Sequence, residues 1–154
     1  MGFLPEPLHP AVIHFPIALT MVALLLDLVS RHPRARSLEP GGALLMVLAA
    51  LGGIAATLTG QVAEEDAVVP RAAKALLERH EELGEIAMWV LIAVALVRLV
   101  LAWRGAFRGV LAWLYLVLAL GTAAAVGYQG YIGGELVFRY GVGTAPVQRQ
   151  VPGV

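Results

Sequence analysis

The chain of 154 residues contains no cysteine. That excludes disulfides, thiolate metal sites, iron–sulfur ligation and covalently attached c-type haem. Charge is scarce as well: Asp, Glu, Lys and Arg make up 14% of the residues, balanced to a net of zero. A soluble domain carries about 25% charged residues because its surface must meet water. So few charges cannot coat a globule, and a balanced net charge gives no footprint for nucleic acid. Enzyme signatures are missing too. There is no phosphate loop, no dinucleotide fingerprint, no HExxH and no nucleophile elbow; HEELG at residues 80–84 lacks the second histidine of a zincin.

What is present is apolar length. Hydrophobic residues reach 59% and the mean hydropathy is +0.79. A membrane-spanning helix needs about 20 predominantly apolar residues. Four runs meet that: residues 11–30, 41–60, 84–103 and 110–131. The first begins with AVIHFP and follows a segment without a basic n-region, so it reads as a retained helix and not a cleaved signal. The connectors after the first and third runs are short and polar, which makes their flanking helices antiparallel. The expected fold is therefore an all-α integral membrane four-helix bundle, up-down-up-down, forming a single domain over 1–154. Residues 141–154 lack periodicity and read as a flexible tail.

The second connector holds more than a loop. Pro70 suits a first helical position. From it, Ala73, Leu76, Leu77, His80, Leu83, Gly84 and Ala87 form one helical stripe. Helix three should therefore begin near Pro70 and run about 34 residues, roughly 50 Å, extending beyond the membrane on the outer side.

Charge placement gives direction. The first and third connectors and their helix ends gather Arg31, Arg34, Arg36, Arg98, Arg104 and Arg108 against Asp27 and Glu39. The remaining segments carry five basic and nine acidic residues. Basic loops stay cytoplasmic. The reading is a bacterial inner-membrane protein with both termini on the outer, periplasmic face. Asp27 and Arg98 lie near the same ends of helices one and three, where they can pair. Trp89, Trp103, Trp113, Tyr128 and Tyr131 fall mostly toward span ends, as interfacial anchors do.

The residues that can carry chemistry collect at the outer end: His9 and His14 in LHPAVIHFP, His80 in ERHEELG, and Glu135 and Tyr140 in GGELVFRYGVG. His32 reads as a solvated loop residue among arginines. His14, Ile17, Ala18, Met21 and Leu25 share one helical face, and an ionisable residue in an apolar span normally faces the bundle interior. Pro16 removes a backbone donor and clashes with the carbonyl at position 12, so the helix should kink or start irregularly there. In the simplest account His14 only satisfies a carbonyl so freed.

Helices one and three are diagonal in such a bundle, and His80 points inward on helix three. Two inward imidazoles, His14 and His80, are an arrangement that holds a b-type haem noncovalently. Gly52, Gly53 and Gly60 on helix two, and Gly127, Gly130, Gly133 and Gly134 toward the end of helix four, can make room for a flat macrocycle; the alternative is close helix packing. A second possibility is zinc or copper bound by His9, His14 and His80 with a carboxylate such as Glu81 or Glu135. A third is a cofactor-free accessory subunit, alone or as a homo-oligomer or part of a larger complex. The absence of an internal repeat argues against an inverted-repeat transporter.

The segments LHPAVIHFPIAL, RHEELG and GYQGYIGGELVFRYGVG resemble those of domain of unknown function 2231, a family of small bacterial predicted membrane proteins, over essentially the whole chain. His9, His14, His80, Gly133, Gly134, Gly141 and Gly143 match its pattern. Related sequences occur alone or fused to Rieske or cytochrome c-like domains. The resemblance therefore implies a membrane redox subunit passing electrons between quinol and a periplasmic cytochrome or Rieske acceptor. Here position 135 is Glu where some members have His, and position 140 is Tyr where His or Gln is common. That weakens any site built on the C-terminal motif and favours His14 and His80.

Overall fold

The computed structural model describes residues 8–65 and 67–144, so most of the tail expected over 141–154 lies outside it. The described residues form helices joined by short turns, with no strand. In chain order these are α1 (His9–Val12), α2 (His14–Val29), α3 (Glu39–Glu65), α4 (Lys74–Trp103) and α5 (Gly109–Tyr140), with 3-10 turns at Pro33–Leu38 and Arg71–Ala73. Four helical stretches are long and apolar enough to cross a membrane: His9–Val29, Pro33–Glu65, Arg71–Trp103 and Gly109–Tyr140. Helices suit that solvent because each satisfies its own backbone donors and acceptors.

Local sequence accounts for the breaks. Pro16 has no N–H for the Val12 carbonyl, and the helix is interrupted at Ile13 between α1 and α2. Pro70 is extended (ψ 142°), the 3-10 turn follows, and α4 begins at Lys74, close to the expected start. α5 runs past the expected limit at residue 131 and takes in GGELVFRY. It ends on Gly141 in the left-handed region (φ 70°), where the Gly141 and Val142 N–H groups donate to the Val137 and Leu136 carbonyls. An extended helix is therefore not peculiar to α4: α3 has 27 residues and α5 has 32.

α2 packs on α3 and α5, and α4 packs on α3 and α5, so α2 and α4 are diagonal. Contacts at the two ends fix the directions. His9 meets Ala56 while Asp27 meets Gly42, so α1–α2 and α3 run antiparallel. Gly53 meets Leu91 while Arg98 reaches Glu39, and His80 meets Gly133 while Arg98 lies over Tyr115. Each successive pair is thus antiparallel.

α2 and α3 turn mostly small and polar residues to the interior, where Leu91 and Val94 of α4 and Tyr115, Leu116 and Ile132 of α5 meet them. α2 buries Pro16, Thr20, Ala23 and Asp27, and α3 buries Gly42, Ala43, Met46, Ala49, Ala50 and Gly53. Large apolar side chains such as Leu25, Leu44, Leu51, Leu114 and Val117 are exposed. This is the pattern expected in lipid, where bulky apolar groups gain nothing by leaving the outer surface and small residues let backbones approach.

Candidate functional site

At the end of the bundle where α1 starts and α4 begins, two imidazoles meet across the core. The rings of His9 and His80 stand edge to face, with centroids 6.4 Å apart and planes at 82°. His9 is placed by the short α1 helix and His80 by the second turn of α4. Both are half-buried.

Each ring is held by a neighbouring helix. His9 Nδ1 lies 2.9 Å from the Ala56 carbonyl on α3 and 3.3 Å from Thr59 Oγ1. A carbonyl only accepts, so Nδ1 carries the proton and Nε2 keeps its lone pair in the neutral ring. On the other side, Gln129 of α5 donates from Nε2 to the His80 carbonyl at 2.6 Å and approaches His80 Nε2 at 3.5 Å. His80 Nδ1 and Gln129 Oε1 are buried with no hydrogen-bond partner. Glycines open the space for these groups. A β-carbon at Gly60 would come within 3.1 Å of His9 Cε1, one at Gly133 within 3.1 Å of His80 Cε1, and one at Gly84 within 2.9 Å of Gln129 Nε2.

His14 is not part of this cluster. It is exposed on the outside of the bundle, and its companions Ala18, Met21 and Leu25 are exposed with it. The expectation that this stripe faces inward is reversed, because in lipid an apolar stripe faces the solvent. The inward face of α2 is the one carrying Pro16, Thr20, Ala23 and Asp27. The histidine that meets His80 is His9.

Of the glycines expected to make room for a macrocycle, Gly52, Gly53 and Gly130 are used in helix packing, while Gly60 and Gly133 lie against the imidazole rings. A β-carbon at Gly52 would come within 3.2 Å of Pro16 Cδ, one at Gly53 within 3.0 Å of Leu91 Cδ1, and one at Gly130 within 2.9 Å of Ile17 Cδ1. The room near the histidines is made by Gly60, Gly84 and Gly133. Among the described residues no group of three or more His, Cys, Asp or Glu side chains is placed to hold a metal ion, so His9, His14 and His80 with a carboxylate do not form the expected set. Glu135 instead pairs with Arg139 one turn away on α5 at 2.6 Å.

At the opposite end a second polar tie crosses the diagonal. Asp27 and Arg98 are fully buried, and Arg98 donates from Nε to Oδ2 at 3.0 Å and from Nη2 to Oδ1 at 2.8 Å. Arg98 Nη2 also reaches the Glu39 carbonyl at 2.9 Å, and its guanidinium lies 3.7 Å from the centroid of the Phe107 ring. Gly42 is where the Asp27 carboxylate fits: any β-carbon there would overlap it. His32, read as a solvated residue, accepts from the Arg34 N–H and caps the 3-10 turn.

Gln129 carries little signal in the sequence. Its one signal is a lone amide in the small-residue run AAAVGYQGY.

A family model described as "Predicted membrane protein (DUF2231)" matches residues 5–146. No curated protein and no solved structure matches the chain.

Proposed function

This chain belongs to the DUF2231 family of predicted membrane proteins, and on that premise we propose that it is an electron-transfer subunit holding a b-type haem between His9 and His80. The observation that carries the reading is the meeting of those two imidazoles across the core. His9 has its Nδ1 proton committed to the Ala56 carbonyl and its Nε2 lone pair free. That is the orientation a metal-ligating histidine takes from its outer-shell partner. On His80 the buried Nδ1 has no partner, and a buried polar atom left unpaired calls for an explanation.

The donor count favours haem over a bare ion. Zinc or copper needs several protein ligands, and among the described residues two imidazoles are assembled here. Haem carries nitrogen donors of its own and would ask the protein only for a pair such as His9 and His80. Space is the opposing term. The groove beside the site, between α4 and α5, holds about 100 Å³, against roughly 300–1,000 Å³ for sites that enclose a ligand. Loading therefore requires the helix ends around Gly60, Gly84 and Gly133 to part.

When bound, the haem supplies one-electron chemistry. His9 and His80 would hold it, with the Ala56 carbonyl and Gln129 orienting those two side chains at one end of the bundle. The distribution of arginines supports placing that end on the periplasmic side of a bacterial inner membrane, with quinol as donor and a periplasmic cytochrome or Rieske protein as acceptor.

The test is an absorption spectrum of the purified full chain, expressed with haem supplied, oxidised and then dithionite-reduced. A Soret band is expected, lost in His9→Ala and His80→Ala and kept in His14→Ala. A protein without a Soret band sinks the proposal; loss of the band in His14→Ala alone sinks the ligand assignment. The packed Gly52, Gly53 and Gly130 favour a second reading, a cofactor-free accessory subunit in which His9, His80 and Gln129 only tie the helices. That reading predicts no chromophore and a loss of stability in the same alanine variants.

A further inference from the structure

The end of the bundle opposite the histidines has a tertiary arrangement of its own. Arg31 Nη1 donates to the Phe107 carbonyl at 2.8 Å, across 76 residues of sequence. The Phe107 ring is buried, with the Arg98 guanidinium 3.7 Å and the Arg31 guanidinium 5.2 Å from its centroid. Phe107 thus pins the loop between α4 and α5 against the turn between α2 and α3. Gly105 and Gly109, both at positive φ (58° and 55°), give that loop its shape.

The Arg31–Phe107 contact brings two arginine-bearing segments together at this end of the bundle. Arg34 and Arg36 come from one segment, Arg104 and Arg108 from the other, and all four are exposed. None of the four forms an ion pair among the described residues. Of the two acids at this end, Asp27 is consumed by Arg98, which leaves Glu39 alone against Arg31, Arg34, Arg36, Arg104 and Arg108. Large apolar side chains border the patch: Trp103 is 82% and Val110 73% exposed.

We propose that this patch binds the phosphate of anionic phospholipids in preference to zwitterionic ones. Charge complementarity supplies the selectivity, since a basic cluster beside a membrane helix attracts anionic headgroups and is screened by salt. The neighbouring apolar surface identifies a lipid and not a free phosphate. A phosphodiester on the arginines leaves its acyl chains lying on Trp103, Val110 and the outer faces of the helices. The inference is independent of the histidine site and of which leaflet this end faces.

The experiment offers the full-length protein, in mild detergent, equal amounts of phosphatidylglycerol and phosphatidylcholine, and counts retained lipids by native mass spectrometry. Phosphatidylglycerol should be retained in preference by roughly tenfold or more. The preference should fall with added sodium chloride. It should shrink in Arg34→Gln/Arg36→Gln and in Arg104→Gln/Arg108→Gln, and vanish in the quadruple variant. Arg71→Gln/Arg79→Gln, at the histidine end, should leave it intact. Equal retention of the two lipids by the wild type overturns the proposal, as does a quadruple variant of normal helicity that keeps the preference. If the quadruple variant misfolds, inorganic phosphate decides on the wild type. At matched ionic strength it should displace no more lipid than chloride does, and specific displacement would mean that a free anion, not a lipid, is the ligand.

Discussion

Replacing Arg98 by leucine should be among the most damaging single changes available in this chain. Arg98 is fully buried and makes two bonds to Asp27 and one to the Glu39 carbonyl. Removing it leaves the Asp27 carboxylate, also fully buried, without a cationic partner. Breaking a buried pair from one side costs about 3–5 kcal/mol, because the surviving charge is stranded. Asp27→Leu should fall in the lower part of that range, since Arg98 keeps the Glu39 carbonyl and the face of Phe107. The double variant strands neither charge. It should be more stable than the sum of the single losses by about 2 kcal/mol, within the coupling expected for contacting residues. The assay is unfolding of the purified protein in mixed micelles, titrated with sodium dodecyl sulfate and followed by circular dichroism. Single losses both below about 1 kcal/mol, or strictly additive losses, would refute the reasoning that this pair is a desolvated tie.

Gly42→Ala should destabilise the same tie, because its methyl would overlap the Asp27 carboxylate; the expected loss is about 1–3 kcal/mol, read by the same unfolding titration. Gln129→Leu removes the donor to the His80 carbonyl and should cost about 1 kcal/mol, with amide exchange accelerated in the first turns of α4. Gly133→Val presses on the His80 ring and should lower haem loading without moving the Asp27–Arg98 end, as monitored by the Soret band and by unchanged amide exchange around residues 27 and 98. His14→Phe, on the outer surface, should change stability by less than about 0.5 kcal/mol and leave any chromophore unaltered; a lost Soret band would return His14 to the site.

Much of this architecture can be read from local pattern. The four runs give four spanning helices because lipid demands a self-satisfied backbone over a fixed length. Pro16 and Pro70 mark the break at Ile13 and the start of α4 because each removes a backbone donor. The partnership of Asp27 with Arg98 is legible because both are charged, lie in apolar runs and fall at matching depths. His80 faces inward as its stripe of Ala73, Leu76, Leu77 and Leu83 implies, since all of these are buried or half-buried. The C-terminal motif is less legible: the apolar run ends at residue 131, yet GGELVFRY continues α5, and Gly133 is the position that leaves space for the His80 ring.

Sequence by itself determined the number of helices, their breaks, the membrane as solvent and the family. Each follows from hydropathy, length and proline chemistry, which act along the chain. Only the tertiary structure decided which histidine enters the core. An apolar stripe such as Ile17, Met21 and Leu25 is equally consistent with a core and with lipid, so the rotation of α2 is set by its partners. Gly42 admits Asp27, Gly52 admits Pro16 and Gly130 admits Ile17. Those close approaches turn His14 outward and leave His9, on the short helix before the break, to meet His80. The Ala56 carbonyl, Gln129 and the arginine patch around Phe107 join that arrangement through contacts between residues far apart in the chain, which no local period records.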